Sequence, residues 1–364
     1  MYQSLQSGRA VAATLVLLFH LGGAIAAEKY FGIQGFSIPF SFGSSGVDFF
    51  FVLSGFIIFH VHKLDLGKPN ALIAYIYKRI TRIYPVYLIV FIGVYGLALS
   101  QPQLRDTLPH DLGILIKSLL LIPQNKELVG GTGAPILAVA WTLQFEMMFY
   151  LAFSLSIINK QFGFFLICGY ILGALFGLGD LGFPFAFIFS EYVLLFLMGM
   201  LVAQLVSYRS ITKISPRVFA FIGLLIYFLT ALGQIAGNEI FLTVQTIFYG
   251  IGCSFIVLAM ICYEEKGKIF LKHRAFQLLG SASYALYLIH YPLISILCKA
   301  SMFVGLKDYG ILGALVAYFI IFTICIAASI AFHLVIEKPI AKKLRQFSPK
   351  PNKSMQRTAK AAAD

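Results

Sequence analysis

From Ile311 to Ile330 the chain reads ILGALVAYFIIFTICIAASI, twenty residues without a single charge. A helix of that length rises roughly 30 Å, the thickness of a bilayer's hydrocarbon core. The run is apolar on every face, so it fits neither a surface helix nor the apolar-polar alternation of a β-barrel strand. Similar runs recur from one end of the 364-residue chain to the other. The composition agrees: 59% of residues are hydrophobic and 12% charged, half the charged share of an ordinary soluble domain. Too few charges exist to coat a globule in water. The fold class is therefore all-α polytopic membrane protein, with the bilayer as solvent.

Ten spans are predicted, at about residues 9–27, 43–61, 83–100, 138–158, 162–178, 186–206, 218–236, 241–262, 281–303 and 310–334. If the N-terminus is cytosolic, 22 of the 28 Lys and Arg fall on the cytosolic side and 6 elsewhere, the bias that orients membrane proteins. Both termini are then cytosolic. That bias also accounts for the formal charge of +13 without a nucleic-acid partner, and none is expected. The segment Leu112–Ile122 is too short to span comfortably and is predicted to be a re-entrant or interfacial helix. Residues 346–364 are basic and Ala-rich and are expected to form a disordered cytosolic tail. The five cysteines lie inside or at the ends of apolar runs and carry no redox signal.

Ionisable groups inside a bilayer cost at least about 2.5–3.5 kcal/mol each, so each asks for an explanation. Arg9 and His20 lie eleven positions apart on the first span, about three helical turns, and so share one face. Arg9 suits an anion near the cytosolic mouth and His20 a proton transfer near mid-membrane; the plainer reading is a topology anchor and a helix–helix hydrogen bond. Lys78-Arg79-Ile80-Thr81-Arg82-Ile83-Tyr84-Pro85 opens the third span. Arg79 and Arg82 sit on adjacent turns and can grip one polyanion, although basic residues at span ends also serve topology or lipid contacts.

Trp141-Thr142-Leu143-Gln144-Phe145-Glu146 enters the fourth span. Trp141 can be an interfacial anchor. Glu146 must be paired, protonated or wet, and could pair with Arg9, orient a histidine or hydrogen-bond a sugar. Ser283-Tyr284-Ala285-Leu286-Tyr287-Leu288-Ile289-His290-Tyr291-Pro292 brings His290 to the depth of His20, before a proline able to kink the helix. Asp48, within Ser45-Gly46-Val47-Asp48-Phe49-Phe50-Phe51-Val52-Leu53-Ser54-Gly55-Phe56, lies just inside the far interface among small residues suited to close packing. Only His60 and His62 are closely spaced, and no metal site is expected.

These motifs, with Glu337-Lys338-Pro339, run in order from about Ser7 to Leu344, and the sequence resembles the acyltransferase family 3 proteins of bacteria. Thr142 stands where many relatives have serine, which keeps the hydroxyl. The resemblance implies one transmembrane domain, residues 7–345, in the cytoplasmic (inner) membrane. It implies transfer of an acyl group, usually acetyl, from cytosolic acyl-CoA to a hydroxyl of a surface or exported polysaccharide or its lipid-linked precursor. It implies His20 and Glu146 as catalytic residues, with His20 a base or a transient acyl carrier, and Arg9, Arg79 and Arg82 as donor ligands. Asp48, Trp141, Tyr287 and His290 would shape the site. No tightly bound cofactor is implied beyond acyl-CoA as co-substrate; glycan acceptor and membrane lipids are the other partners. The chain ends soon after its last span, so the stand-alone exopolysaccharide-modifying type is expected. A proton-coupled transporter or flippase would use the same intramembrane residues without an acyl donor, and a purely structural subunit would tolerate loss of His20.

Overall fold

A computed structural model describes residues 2–101, 105 and 108–349. Among these, every regular element is helical, as the bilayer requires of a backbone that must satisfy its own polar groups. Among the described residues, nine helical stretches are long and apolar enough to cross a membrane. The chain is a multi-pass membrane protein. The longer helices are α1 (Gln3–Ala26), α2 (Gly46–His62), α3 (Leu72–Ser100), α4 (Leu112–Leu119), α5 (Trp141–Ile158), α6 (Lys160–Leu175), α7 (Glu191–Val206), α8 (Pro216–Ile235), α9 (Glu239–Glu265), α10 (Arg274–Ser281), α11 (Ser283–Phe303), α12 (Gly310–Phe332) and α13 (Lys338–Gln346).

The fifth predicted span is α6, an apolar helix of 16 residues, about 24 Å long and short for a full crossing. The third starts earlier than its apolar run suggests, because α3 carries Lys78, Arg79 and Arg82 as regular helix before it becomes apolar. Of the predicted tail, residues 350–364 lie outside the described residues.

One end of the bundle gathers the basic segments. The backbone N–H groups of Gln3 and Ser4 donate to Glu264, Gln6 Nε2 donates to Ser281 Oγ, Lys63 Nζ donates to Ser207 Oγ, and Tyr77 Oη donates to the Leu344 carbonyl. With the Tyr2 ring 5.9 Å from that of His60, the start of α1 lies level with the ends of α2, α7 and α9 and the start of α11. We call this the basic face.

Lipid is as apolar as leucine, so helix association depends on close packing. A Cβ at Gly55 of α2 would collide with the Phe196 carbonyl of α7, and one at Gly199 of α7 with the Val52 carbonyl of α2. These two glycines let the helices meet backbone to backbone.

The segment after α3 turns back into the protein. Asp111 caps α4 by accepting from Ile114 N–H at 3.0 Å, and the eight residues of α4 cover about 12 Å, too little to span. Carbonyls at its end are satisfied from α3: Tyr87 Oη donates to Ser118 O at 2.6 Å and Tyr84 Oη to Leu120 O at 2.8 Å. On the return, Gln144 Nε2 donates to Gly133 O at 3.2 Å. Leu112–Ile122 is thus too short to cross and is tied to α3 at its end, while Leu112, Ile116, Leu120 and Ile122 stay exposed.

Candidate active site

Helices α1, α2, α3, α5 and α11 enclose a cavity of about 270 Å³ that runs inward from the basic face. Three guanidinium groups line it: Arg82 exposed, Arg79 half-buried and Arg9 buried. They arrive from two helices because Arg79 and Arg82 occupy adjacent turns of α3, while Arg9 stands two turns into α1. Among the described residues none of the three forms an ion pair; both ion pairs found there join a histidine to a carboxylate. Aromatic rings hold the planes of two of them. Arg79 lies 5.7 and 5.6 Å from the ring centres of Tyr75 and Tyr150, and Arg82 lies 5.6 Å from that of Tyr284. Such contacts stabilise a cation by about 0.5–2 kcal/mol and leave its N–H fork free for an anion. Arg79 Nε and Ser283 Oγ are buried at the cavity wall without a protein hydrogen-bond partner. A phosphorylated ligand fits this donor set.

Glu146 also lines the cavity. Its Oε1 accepts from Tyr150 Oη and, at 3.3 Å, from Ser54 Oγ. Of the roles open to Glu146 in the sequence, direct pairing with Arg9 does not occur; Arg9 Nη1 donates instead to Gln6 Oε1 at 3.4 Å. Tyr150 follows Glu146 by four residues on one helix and so shares its face, a signal present in the sequence. Ser54 carries no such signal, since only packing brings α2 against α5.

The inner wall is built on Tyr287. Tyr287 Oη donates to Val139 O at 3.1 Å and accepts from Thr142 Oγ1 at 2.9 Å, which ties α11 to the start of α5. Phe50 packs on the same ring at 6.4 Å between centres. One turn further along α11 stands His290, with ring centres 5.9 Å apart.

His290 and His20 meet there. His290 Nδ1 lies 2.9 Å from the Leu286 carbonyl oxygen, which can only accept, so in the neutral ring Nδ1 carries the proton and Nε2 is the acceptor. That Nε2 lies 3.0 Å from His20 Nδ1, which is also 3.0 Å from the Val16 carbonyl oxygen. His20 must therefore be protonated at Nδ1, donating to both. Its Nε2 keeps the lone pair and can take a proton. The tautomer follows from this network. His290 is 1% exposed, whereas His20 is half-buried beside Phe19 and Tyr291.

The structure thus gathers Arg9, Arg79, Arg82, Glu146 and Tyr287 at one cavity and joins His20 to His290 one layer beyond it. Asp48 and Trp141 line neither. Asp48 is buried in the first turn of α2, where the helix dipole favours a carboxylate. Trp141 packs into an aromatic cluster with Phe51, Phe145 and Tyr192.

A family model described as an acyltransferase domain matches residues 2–334. The chain belongs to this acyltransferase family. A similar protein is the "Exopolysaccharide production protein ExoZ" of Rhizobium meliloti (strain 1021), 28% identical over 338 residues, which are 90% of this chain and 96% of that protein. The "Acyltransferase MdmB" of Streptomyces mycarofaciens is 30% identical over 163 residues, 42% of this chain and 38% of its own. No solved structure matches significantly. The cavity and histidine pair lie within the matched part of the acyltransferase.

Proposed function

We propose that the acyltransferase moves an acyl group, acetyl in the first instance, from acyl-CoA bound at a cytosolic basic face to a hydroxyl of a surface or exported polysaccharide or its lipid-linked precursor. It would do so in the inner (cytoplasmic) membrane of a bacterium. The observation that carries this reading is the sequence of groups along one axis. Among the described residues three arginines without ion-pair partners line the cavity, and His20, about 16 Å from Arg9 along α1, holds a free Nε2 beyond its inner wall. The exopolysaccharide role that the name of one relative carries supports the acceptor class.

In this reading the phosphates of the donor lie against Arg9, Arg79 and Arg82, and its thioester arm reaches inward past Tyr287. The acceptor oxygen attacks the thioester carbonyl carbon while its proton passes to His20 Nε2. The C–S bond then breaks, and the thiolate of CoA leaves and takes up a proton. His290 keeps His20 in the required tautomer. Glu146, held by Tyr150 and Ser54, sets the field inside the cavity.

The test is transfer of labelled acetyl from acetyl-CoA to endogenous glycan in membranes holding the wild type or His20→Ala at matched expression. Label with the wild type alone is the expected result. Equal label in both removes His20 from the chemistry, and export of an unmodified glycan without any acyl donor would establish the transporter instead.

A further inference from the structure

A second cavity, of about 570 Å³, opens on the basic face between the first turn of α1 and the last turns of α2 and α9. It adjoins the first. Ile57 borders both, and Tyr2, Leu5 and Arg9 succeed one another at helical spacing, so one stripe of α1 faces both cavities. The wall of the second cavity is aromatic. Phe56 and His60 stack with centres 5.2 Å apart and planes 18° apart, and the Tyr2 ring lies 5.9 Å from His60 and 6.4 Å from Phe56.

The chemistry of the two cavities is opposite. The first presents guanidinium groups; the second presents π faces and the carboxylate of Glu264, which is fixed by the Gln3 and Ser4 N–H groups at 2.8 and 2.7 Å. Phosphate is repelled by Glu264, whereas a planar base with an exocyclic amine can stack on His60 and Tyr2 and donate to that carboxylate. Tyr2 and Arg9 are seven residues apart, about 10 Å of helix, the scale of a nucleoside extended to its phosphates.

We propose that this groove holds the purine base of the acyl donor's nucleotide, with the phosphates on the arginines next to it. The assignment rests on the acyl-CoA reading and refines it: the donor enters base-outward along α1 and α2, and its acyl end points toward His20. Free acyl-pantetheine would lack this anchor.

The experiment measures binding of CoA and of 4′-phosphopantetheine, which lacks the nucleotide, to the full-length chain in nanodiscs. The proteins are the wild type, Tyr2→Ala, His60→Ala, His60→Phe, Arg79→Ala and Arg82→Ala. Stacking on an aromatic side chain predicts that Tyr2→Ala and His60→Ala each weaken CoA about 5- to 150-fold. The same variants leave 4′-phosphopantetheine unchanged, which also shows that they are folded, and His60→Phe regains most of the CoA affinity. CoA affinity unchanged in both alanine variants overturns the base site while leaving the donor reading intact. Equal loss of both ligands also overturns it, because the aromatic groups would then act on the whole bundle. If the wild type fails to bind CoA, or binds it without regard to Arg79 and Arg82, the donor reading itself falls and the base site with it.

Discussion

Replacing His290 tests the histidine pair directly. The variant His290→Ala removes the acceptor 3.0 Å from His20 Nδ1 and leaves the Val16 carbonyl as the sole partner of that N–H. Loss of one buried hydrogen bond is worth about 0.5–1.5 kcal/mol, or roughly 2- to 10-fold in population of the correct ring orientation. A ring released from one of its two tethers also drifts, and misplacement by about 1 Å costs up to about 100-fold in rate. The expected kcat is therefore about 10- to 100-fold below wild type. His290 does not line the arginine cavity, so KM for the acyl donor should hold. His290→Gln, whose amide oxygen can accept near the position of Nε2, should recover part of the loss. The assay is initial-rate acetyl transfer at several donor concentrations, normalised to folded protein by size-exclusion chromatography. A kcat equal to wild type in His290→Ala, or a raised KM with kcat intact, would refute the tautomer argument.

Further outcomes follow from the cavity and the packing. Arg79→Ala should raise the donor KM more than Arg82→Ala, because Arg79 is half-buried between two rings and Arg82 is exposed; about 10- to 100-fold against less than about 10-fold is expected in steady-state kinetics. Tyr150→Phe frees one lone pair of Glu146 and removes no charge, so activity should fall by about 10-fold while the chain still folds, whereas a loss equal to that of Glu146→Ala would mean that Tyr150 itself reacts. Gly199→Val should lower the thermal midpoint of the detergent-solubilised protein by several degrees, about 2–4 °C per kcal/mol for a chain of this size or less, since its side chain meets the Val52 carbonyl; an unchanged midpoint would show that α2 and α7 can separate without cost. Cysteine introduced at Lys266 should react with impermeant maleimide only in inverted vesicles, and reaction in intact cells would reverse the proposed orientation.

How much was legible in advance differs from group to group. The apolar runs announced the spans because a helix in lipid satisfies its own backbone, so membrane crossing depends on local composition and length. That Leu112–Ile122 does not span was legible from length alone, but its partners Tyr84 and Tyr87 were not. Arg9, Arg79, Arg82, Glu146 and His20 stood out because a charge or imidazole in a bilayer is costly wherever it sits. Spacing placed Arg9 and His20 on one face of α1, the first suited to an anion and the second to a proton transfer. The tertiary structure sets Tyr287 and Phe50 on the wall of the cavity that Arg9 lines and joins His20 to His290 across 270 positions.

The sequence by itself therefore determined the solvent, the fold class, nine of the ten spans and most of the ionisable groups that need a purpose, since each is a property of one helix in lipid. Only the tertiary structure decided which of those groups share a cavity, which nitrogen of His20 is free, and that Tyr2, Phe56 and His60 form an aromatic wall beside the arginines. Those are relations between helices. In a bilayer they are set by the fit of small residues such as Gly55 and Gly199, which no single-helix pattern encodes.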